Sequence, residues 1–220
     1  NVLKSKFITM SNITYDFEKY FAKQMGSKYA VMTNSGSSAN LLAISCLTNP
    51  LAKNKLINGD EVIIPAVCWS TSLWPLIQNN LKPVFADVEL DTFNLDLDKI
   101  EKKITKKTKA IMLVHVLGIS ANMDKLKKII NKHNLILIED TCESLGASYS
   151  GKKLGTIGKF GTYSFYYSHQ ITSGEGGMVV CDDINDYNIL KSLRSHGWSR
   201  NTTFHKKLSK KFNKLDKRFL

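Results

Sequence analysis

The sequence predicts an α/β fold built on a largely parallel sheet. Short apolar runs rich in β-branched residues alternate with helical patterns along the 220 residues. Several of these runs are apolar almost throughout, as strands covered on both faces require. Apolar residues make up 43% of the chain and the charges are interspersed, so one substantial core in one domain is expected.

The elements follow in order. A helix over 15–25 begins after Thr14, carries Asp16 and Glu18 in its first turn and stops at Gly26. The run YAVMT at 29–33 reads as a strand and leads into a helix over 37–47. EVII at 61–64 precedes a helix over 70–79, PVFAD at 83–87 a helix over 97–103, and AIMLVH at 110–115 a helix over 122–133. LILIE at 135–139, GTYSFYY at 161–167 and GMVVC at 177–181 complete the strands, and a helix over 183–195 follows. Only residues 168–176 separate the last two strands, too few for a parallel crossover, so that pair is antiparallel or its members are not neighbours. After 195 comes a polar loop, Gly197-Trp198-Ser199-Arg200-Asn201, and then a basic tail, with no closing strand or helix. The sequence therefore reads as residues 1–200 forming one domain and 201–220 leading towards a further, C-terminal domain.

Composition narrows the function classes. The formal charge is +12, and the segment from His205 to Leu220, with six Lys, one Arg and one Asp, supplies half of it. Such a segment is more often a solvated face or connector than a nucleic-acid site, and no nucleic-acid motif accompanies it. The four cysteines, at 46, 68, 142 and 181, contain no Cys-x-x-Cys pair and no zinc-type cluster, so reduced thiols and no metal are expected. No signal peptide is legible, and no apolar run approaches the ~18 residues that a membrane span needs. A soluble, cytoplasmic protein is the expectation.

Three segments can carry chemistry. Asn34-Ser35-Gly36-Ser37-Ser38-Ala39-Asn40 joins a strand to a helix, where free N–H groups, hydroxyls and the helix dipole welcome a phosphate. Its glycine spacing is neither that of a Walker loop nor that of a dinucleotide fingerprint. Glu139-Asp140 ends an apolar strand, where ligands of open α/β sheets gather, and a carboxylate there can hold a protonated ring nitrogen. The run from Ser164 to Gly177 places His169 in a short hydroxyl- and glycine-rich loop, and imidazole is suited to acid–base work. Singly, they read more readily as an ordinary N-cap, a capping aspartate and a solvated loop histidine.

Together and in this order, these segments resemble the nucleotide-sugar aminotransferases of the DegT–StrS type. The similarity extends from about Tyr15 to Gly197 and takes in Gly59-Asp60-Glu61-Val62-Ile63-Ile64-Pro65-Ala66 and Lys109-Ala110-Ile111 through His115. It implies the large domain of the fold type I transferases dependent on pyridoxal 5'-phosphate (PLP), with a seven-stranded, mostly parallel sheet flanked by helices. It further implies that Ser37, Ser38 and Ser164 hold the cofactor phosphate, Trp69 stacks on the pyridine ring, Asp140 pairs with the ring nitrogen, and Glu143 lies near the ring hydroxyl. A homodimer with the site at its interface, completed by a smaller C-terminal domain, belongs to the same pattern.

Two positions depart from the aminotransferase pattern. His169 stands where those enzymes carry the lysine that binds the cofactor covalently, and Glu143 replaces a glutamine. Imidazole has no primary amine and cannot form an imine. Both changes resemble the 3-dehydratase branch of the family, in which pyridoxamine 5'-phosphate (PMP) is the working form. The resemblance implies C3 dehydration of a nucleotide-linked 4-keto-6-deoxy sugar, in deoxysugar and surface-polysaccharide biosynthesis. His169 would be the acid and base, and glutamate the amino donor. One member of that branch uses a [2Fe–2S] cluster with cysteines soon after the segment matching Arg194 to Gly197. Here no cysteine follows Gly197, so no cluster is expected. The rival readings are a true aminotransferase, which would need another lysine, and a catalytically inactive sugar-nucleotide-binding homologue.

Overall fold

The computed structural model describes Lys4 and residues 11–211. Its strands are β1 (Tyr29–Thr33), β2 (Glu61–Pro65), β3 (Lys82–Ala86), β4 (Thr108–Val114), β5 (Ile136–Asp140), β6 (Ser148–Tyr149), β7 (Lys152–Lys153), β8 (Phe160–Ser164) and β9 (Gly177–Cys181). Seven of them form one sheet, the number the resemblance implies, in the order β1-β9-β8-β5-β4-β2-β3. Only β9 runs against the rest: it is antiparallel to both β8 and β1, while β3, β2, β4, β5 and β8 are mutually parallel. The short connection over 168–176 thus links antiparallel neighbours. β6 and β7 form a separate small hairpin that the sequence reading did not contain.

The helices are α1 (Asn12–Met25), α2 (Gly36–Thr48), α3 (Ser70–Gln78), α4 (Leu97–Ile100), α5 (Met123–His133), α6 (Ile184–Arg194) and α7 (His205–Lys211). Alternation along the strands sends successive side chains to opposite layers. Val62, Ile64, Ala110, Met112 and Ile138 pack with α2, α3 and α6. Ile63, Ile111, Leu113 and Leu137 pack with α4 and α5, and Ala30, Met178 and Val180 with α1. Both faces are therefore covered, which explains why the strand sequences lack polar alternation. Each fully buried Ile or Leu stabilises the fold by roughly 1.5–3 kcal/mol.

Local signals set most helix ends. Ser35 caps α2 by accepting from the Ser38 N–H at 3.1 Å, Asn122 caps α5 through the Lys125 N–H at 3.0 Å, and Asp183 caps α6 through Asn185 and Asp186. Two expectations are corrected. α1 starts at Asn12 behind Ser11, so Asp16 and Glu18 are not in its first turn; Glu18 is instead buried, pairing with Arg194 and accepting from the Met32 N–H. The chain after 195 is not without helix, because α7 occupies the start of the basic segment. Residues 212–220 of that segment lie outside the described residues. No described helix is long and apolar enough to cross a membrane.

Candidate active site

Because β1, β2, β4, β5 and β8 run the same way, their carboxyl ends meet along one edge of the sheet, and a cavity of about 390 Å³ opens there. Ser37, Trp69, Asp140, Glu143, Ser164 and His169 all line it. Of the residues predicted for the site, only Ser38 does not. Its N–H and hydroxyl are both engaged with the Ser35 side chain, at 3.1 and 3.2 Å, closing the first turn of α2.

Close packing places the α2 N-terminus against the strand ends. A Cβ on Gly36 would lie 2.7 Å from Cys142 Sγ and 2.7 Å from Ser164 Cβ, so only glycine lets the helix begin there. The N–H groups of Gly36 and Ser37 have no partner among the described residues, and they point the helix dipole's positive end at the cavity rim. Ser164, at the end of β8, is buried and accepts from the Tyr166 N–H at 3.3 Å.

Asp140 ends β5 on the α2–α3 side of the sheet. Its Oδ2 accepts from Ser72 Oγ at 2.7 Å and from Asn40 Nδ2 at 2.8 Å, and its Oδ1 accepts from the Cys142 N–H at 3.1 Å. The Cys142 thiol also interacts with this carboxylate, and Asp140 still lines the cavity, where it can meet a ligand. Glu139, which the sequence set beside Asp140, points to the opposite layer. There its Oε1 accepts from the Ile157 and Gly158 N–H groups at 2.8 and 2.6 Å. Its Oε2 meets the Gly155 N–H and His115 Nε2, both at 3.0 Å. Glu139 anchors the 155–158 loop and takes no part in the cavity.

Glu143 is fixed by the Leu117 N–H, which donates to its Oε2 at 2.9 Å, with Leu117 itself in the left-handed region at φ 51°. The Gln170 amide donates to the Glu143 carbonyl at 2.6 Å, tying the loop after β8 across the cavity mouth. His169 is half-buried in that loop; its N–H donates to the Tyr166 carbonyl at 3.1 Å and its ring lies edge-on to Tyr166 at 6.2 Å. Trp69, the N-cap residue of α3, is 73% exposed, which leaves the indole free to stack. Cys142 also lines the cavity, but burial and the Asp140 carboxylate push its thiol well up, so it stays neutral and is no nucleophile.

In the hydrogen-bond network around Asp140, three side chains were given no role from the sequence: Asn40 and Ser72, which also line the cavity, and Thr162, which donates to Asn40. Asn40 is an amide within the otherwise apolar, buried run of α2, and that was a readable signal. Ser72 and Thr162 gave none.

Comparison with known proteins fits this geometry. A model of the DegT/DnrJ/EryC1/StrS aminotransferase family matches residues 1–216. The chain belongs to that family. Among curated members, the GDP-4-keto-6-deoxy-D-mannose 3-dehydratase of Escherichia coli is 47% identical over 201 residues, covering 91% of this chain and 52% of that protein. The dTDP-4-dehydro-2,6-dideoxy-D-glucose 3-dehydratase of Saccharopolyspora spinosa is 47% identical over 182 residues, covering 82% of this chain and 39% of that protein. A crystal structure of GDP-4-keto-6-deoxymannose-3-dehydratase with a trapped PLP–glutamate geminal diamine superposes with a TM-score of 0.87 at 46% identity. That match covers 91% of this chain and 52% of the solved one. The chain thus spans about half the length of these family members, and the superposition agrees with the expected large-domain fold.

Proposed function

We propose that this family member serves a PMP/PLP-dependent 3-dehydratase, removing the C3 hydroxyl of a nucleotide-linked 4-keto-6-deoxy sugar. The observation that carries the reading is His169 at the cavity, with no lysine among the described residues lining it. Lys159, the nearest lysine in sequence, is committed to an ion pair with the buried Asp186. The similarity to two 3-dehydratases, acting on GDP- and dTDP-linked sugars, supports the same reaction class.

The residues present fit the cofactor. The unpaired N–H groups at the start of α2, with the Ser37 and Ser164 hydroxyls, suit its phosphate. The exposed face of Trp69 suits its ring, the cavity-lining carboxylate of Asp140 suits a protonated ring nitrogen, and Glu143 is held where it can face the ring hydroxyl. Bound in its amine form, the cofactor supplies a primary amine for the sugar ketone and an electron-accepting ring. Asp140 keeps the proton on the ring nitrogen. His169 takes a proton from the cofactor carbon that bears the amine and gives one to the hydroxyl leaving sugar C3, so that water departs. Acid–base action of this kind contributes roughly 10²- to 10⁴-fold.

Glutamate as amino donor, a homodimer and a cytoplasmic setting complete the reading. Exposed Trp69, Tyr166, Tyr167 and Ile171 around the mouth support a covering protein surface there. The test is to incubate the protein with PLP, glutamate and 4-keto-6-deoxy sugar nucleotides and follow product mass. Loss of oxygen is expected. Gain of an amine, or covalent labelling of the protein by PLP and borohydride, would instead mark an aminotransferase.

A further inference from the structure

We infer that Asn40 and Ser72 are positioning residues that aim the Asp140 carboxylate at the cofactor's ring nitrogen. The inference rests on the cofactor reading above and goes beyond it in assigning roles to residues that do not carry the chemistry.

Asn40 is 1% exposed and sits on α2; Ser72 is fully buried on α3; Asp140 is at the end of β5. The amide of Asn40 is held in one orientation from both ends. Its Oδ1 accepts from Thr162 Oγ1 at 2.6 Å, which leaves Nδ2 to face Asp140 at 2.8 Å. The same Nδ2 lies 3.4 Å from the Thr71 carbonyl. That carbonyl would normally accept from the N–H four residues on, but that residue is Pro75, which has no N–H. Proline within α3 therefore frees an acceptor that helps seat Asn40.

The result is one relay from β8 through α2 to β5, met by α3 from the other side. Asn40 and Ser72 both donate to Oδ2, and the Cys142 N–H donates to Oδ1. Two donors on Oδ2 and one on Oδ1 restrain the carboxylate from rotating while Asp140 keeps its place on the cavity lining. A carboxylate lacking these donors would still be negative, but it could turn its charge away from the ring nitrogen.

The experiment compares Asn40→Ala and Ser72→Ala with the unaltered protein, using two probes: PLP and its 1-deaza analogue, which has carbon in place of the ring nitrogen. Dissociation constants are read by equilibrium dialysis and folding by circular dichroism. The unaltered protein should bind PLP more tightly than the analogue, and in each variant that ratio should fall by about tenfold, the worth of a hydrogen bond to a charged group. A merely structural role would weaken both probes equally and leave the ratio unchanged in whichever variant folds, and that overturns the inference. Equal binding of both probes by the unaltered protein also overturns it. Binding of neither would remove the cofactor reading itself, and the inference with it.

Discussion

Replacing Gly36 by alanine probes how tightly the first turn of α2 is pressed onto the strand ends. The added Cβ would stand 2.7 Å from Cys142 Sγ and 2.7 Å from Ser164 Cβ, one beyond the end of β5 and the other on β8. Comfortable contacts are about 3.5–4.0 Å, so both are short by about 1 Å, and moving away from one neighbour does not relieve the other. The helix must lift. Overpacking of this kind costs about 1–3 kcal/mol, and alanine's advantage over glycine inside a helix does not apply at its first residue. A loss of about 1–3 kcal/mol lowers Tm by about 2–12 °C in a domain of this size. Lifting also pulls the Gly36 and Ser37 N–H groups back from the cavity, so PLP binding should weaken by about tenfold. Thermal denaturation and cofactor dialysis read the two effects. Adding Cys142→Ala removes the sulfur contact but not the Ser164 one, so recovery should be partial. Unchanged Tm and unchanged PLP affinity in Gly36→Ala would refute the packing argument.

Other changes separate the site from its scaffold. His169→Lys should allow a borohydride-trappable link to PLP and suppress C3 deoxygenation; a variant that dehydrates normally contradicts the proton-transfer role. Trp69→Ala should weaken PLP retention by roughly three- to tenfold, the worth of an aromatic stack, and equal occupancy by absorbance would count against stacking. Glu139→Gln turns an NH₂ towards backbone donors and should destabilise the fold by about 2–5 kcal/mol, seen as an earlier urea midpoint; an unshifted midpoint would deny Glu139 its anchoring role. The buried thiols of Cys46, Cys142 and Cys181 are pushed above the ordinary value. The unfolded chain therefore loses those protons first, and stability should fall as pH rises from about 8 to about 10. A flat urea midpoint over that range would contradict it.

Strands were the most legible part of the chain, because a run such as Ala110 to Val114 is apolar on both faces only if both faces are covered. Their order across the sheet was not legible, since pairing β5 with β8 and β1 with β9 depends on contacts far apart in sequence. α7 escaped notice because HKKLSKK buries none of its residues and so carries no apolar stripe. The start of α1 was misplaced because Ser11 makes no capping side-chain bond and the acidic residue Glu18 serves a buried ion pair. Within the site, Ser37, Trp69, Asp140, Glu143, Ser164 and His169 were readable through the family resemblance, and all six line the cavity. The donors to Asp140 were not, although Asn40 and Ser72 also line the cavity, because these two and Thr162 come together only when three separate elements pack.

The opposite orientations of Glu139 and Asp140 have a consequence for how the chain checks its own assembly. Sliding β5 by one residue one way would put Glu139 in the place of Asp140, facing Asn40 and Ser72; sliding it the other way would put Asp140 in the place of Glu139, facing the 155–158 loop. The side chains differ by one methylene, so the carboxylate that arrives meets its new donors poorly, and the other moves to the buried position of Thr141 or Ile138, away from its own donors. Neighbouring acids on one strand thus act as a proofreading pair: a molecule folded in the wrong register is too unstable to persist as an inactive impostor.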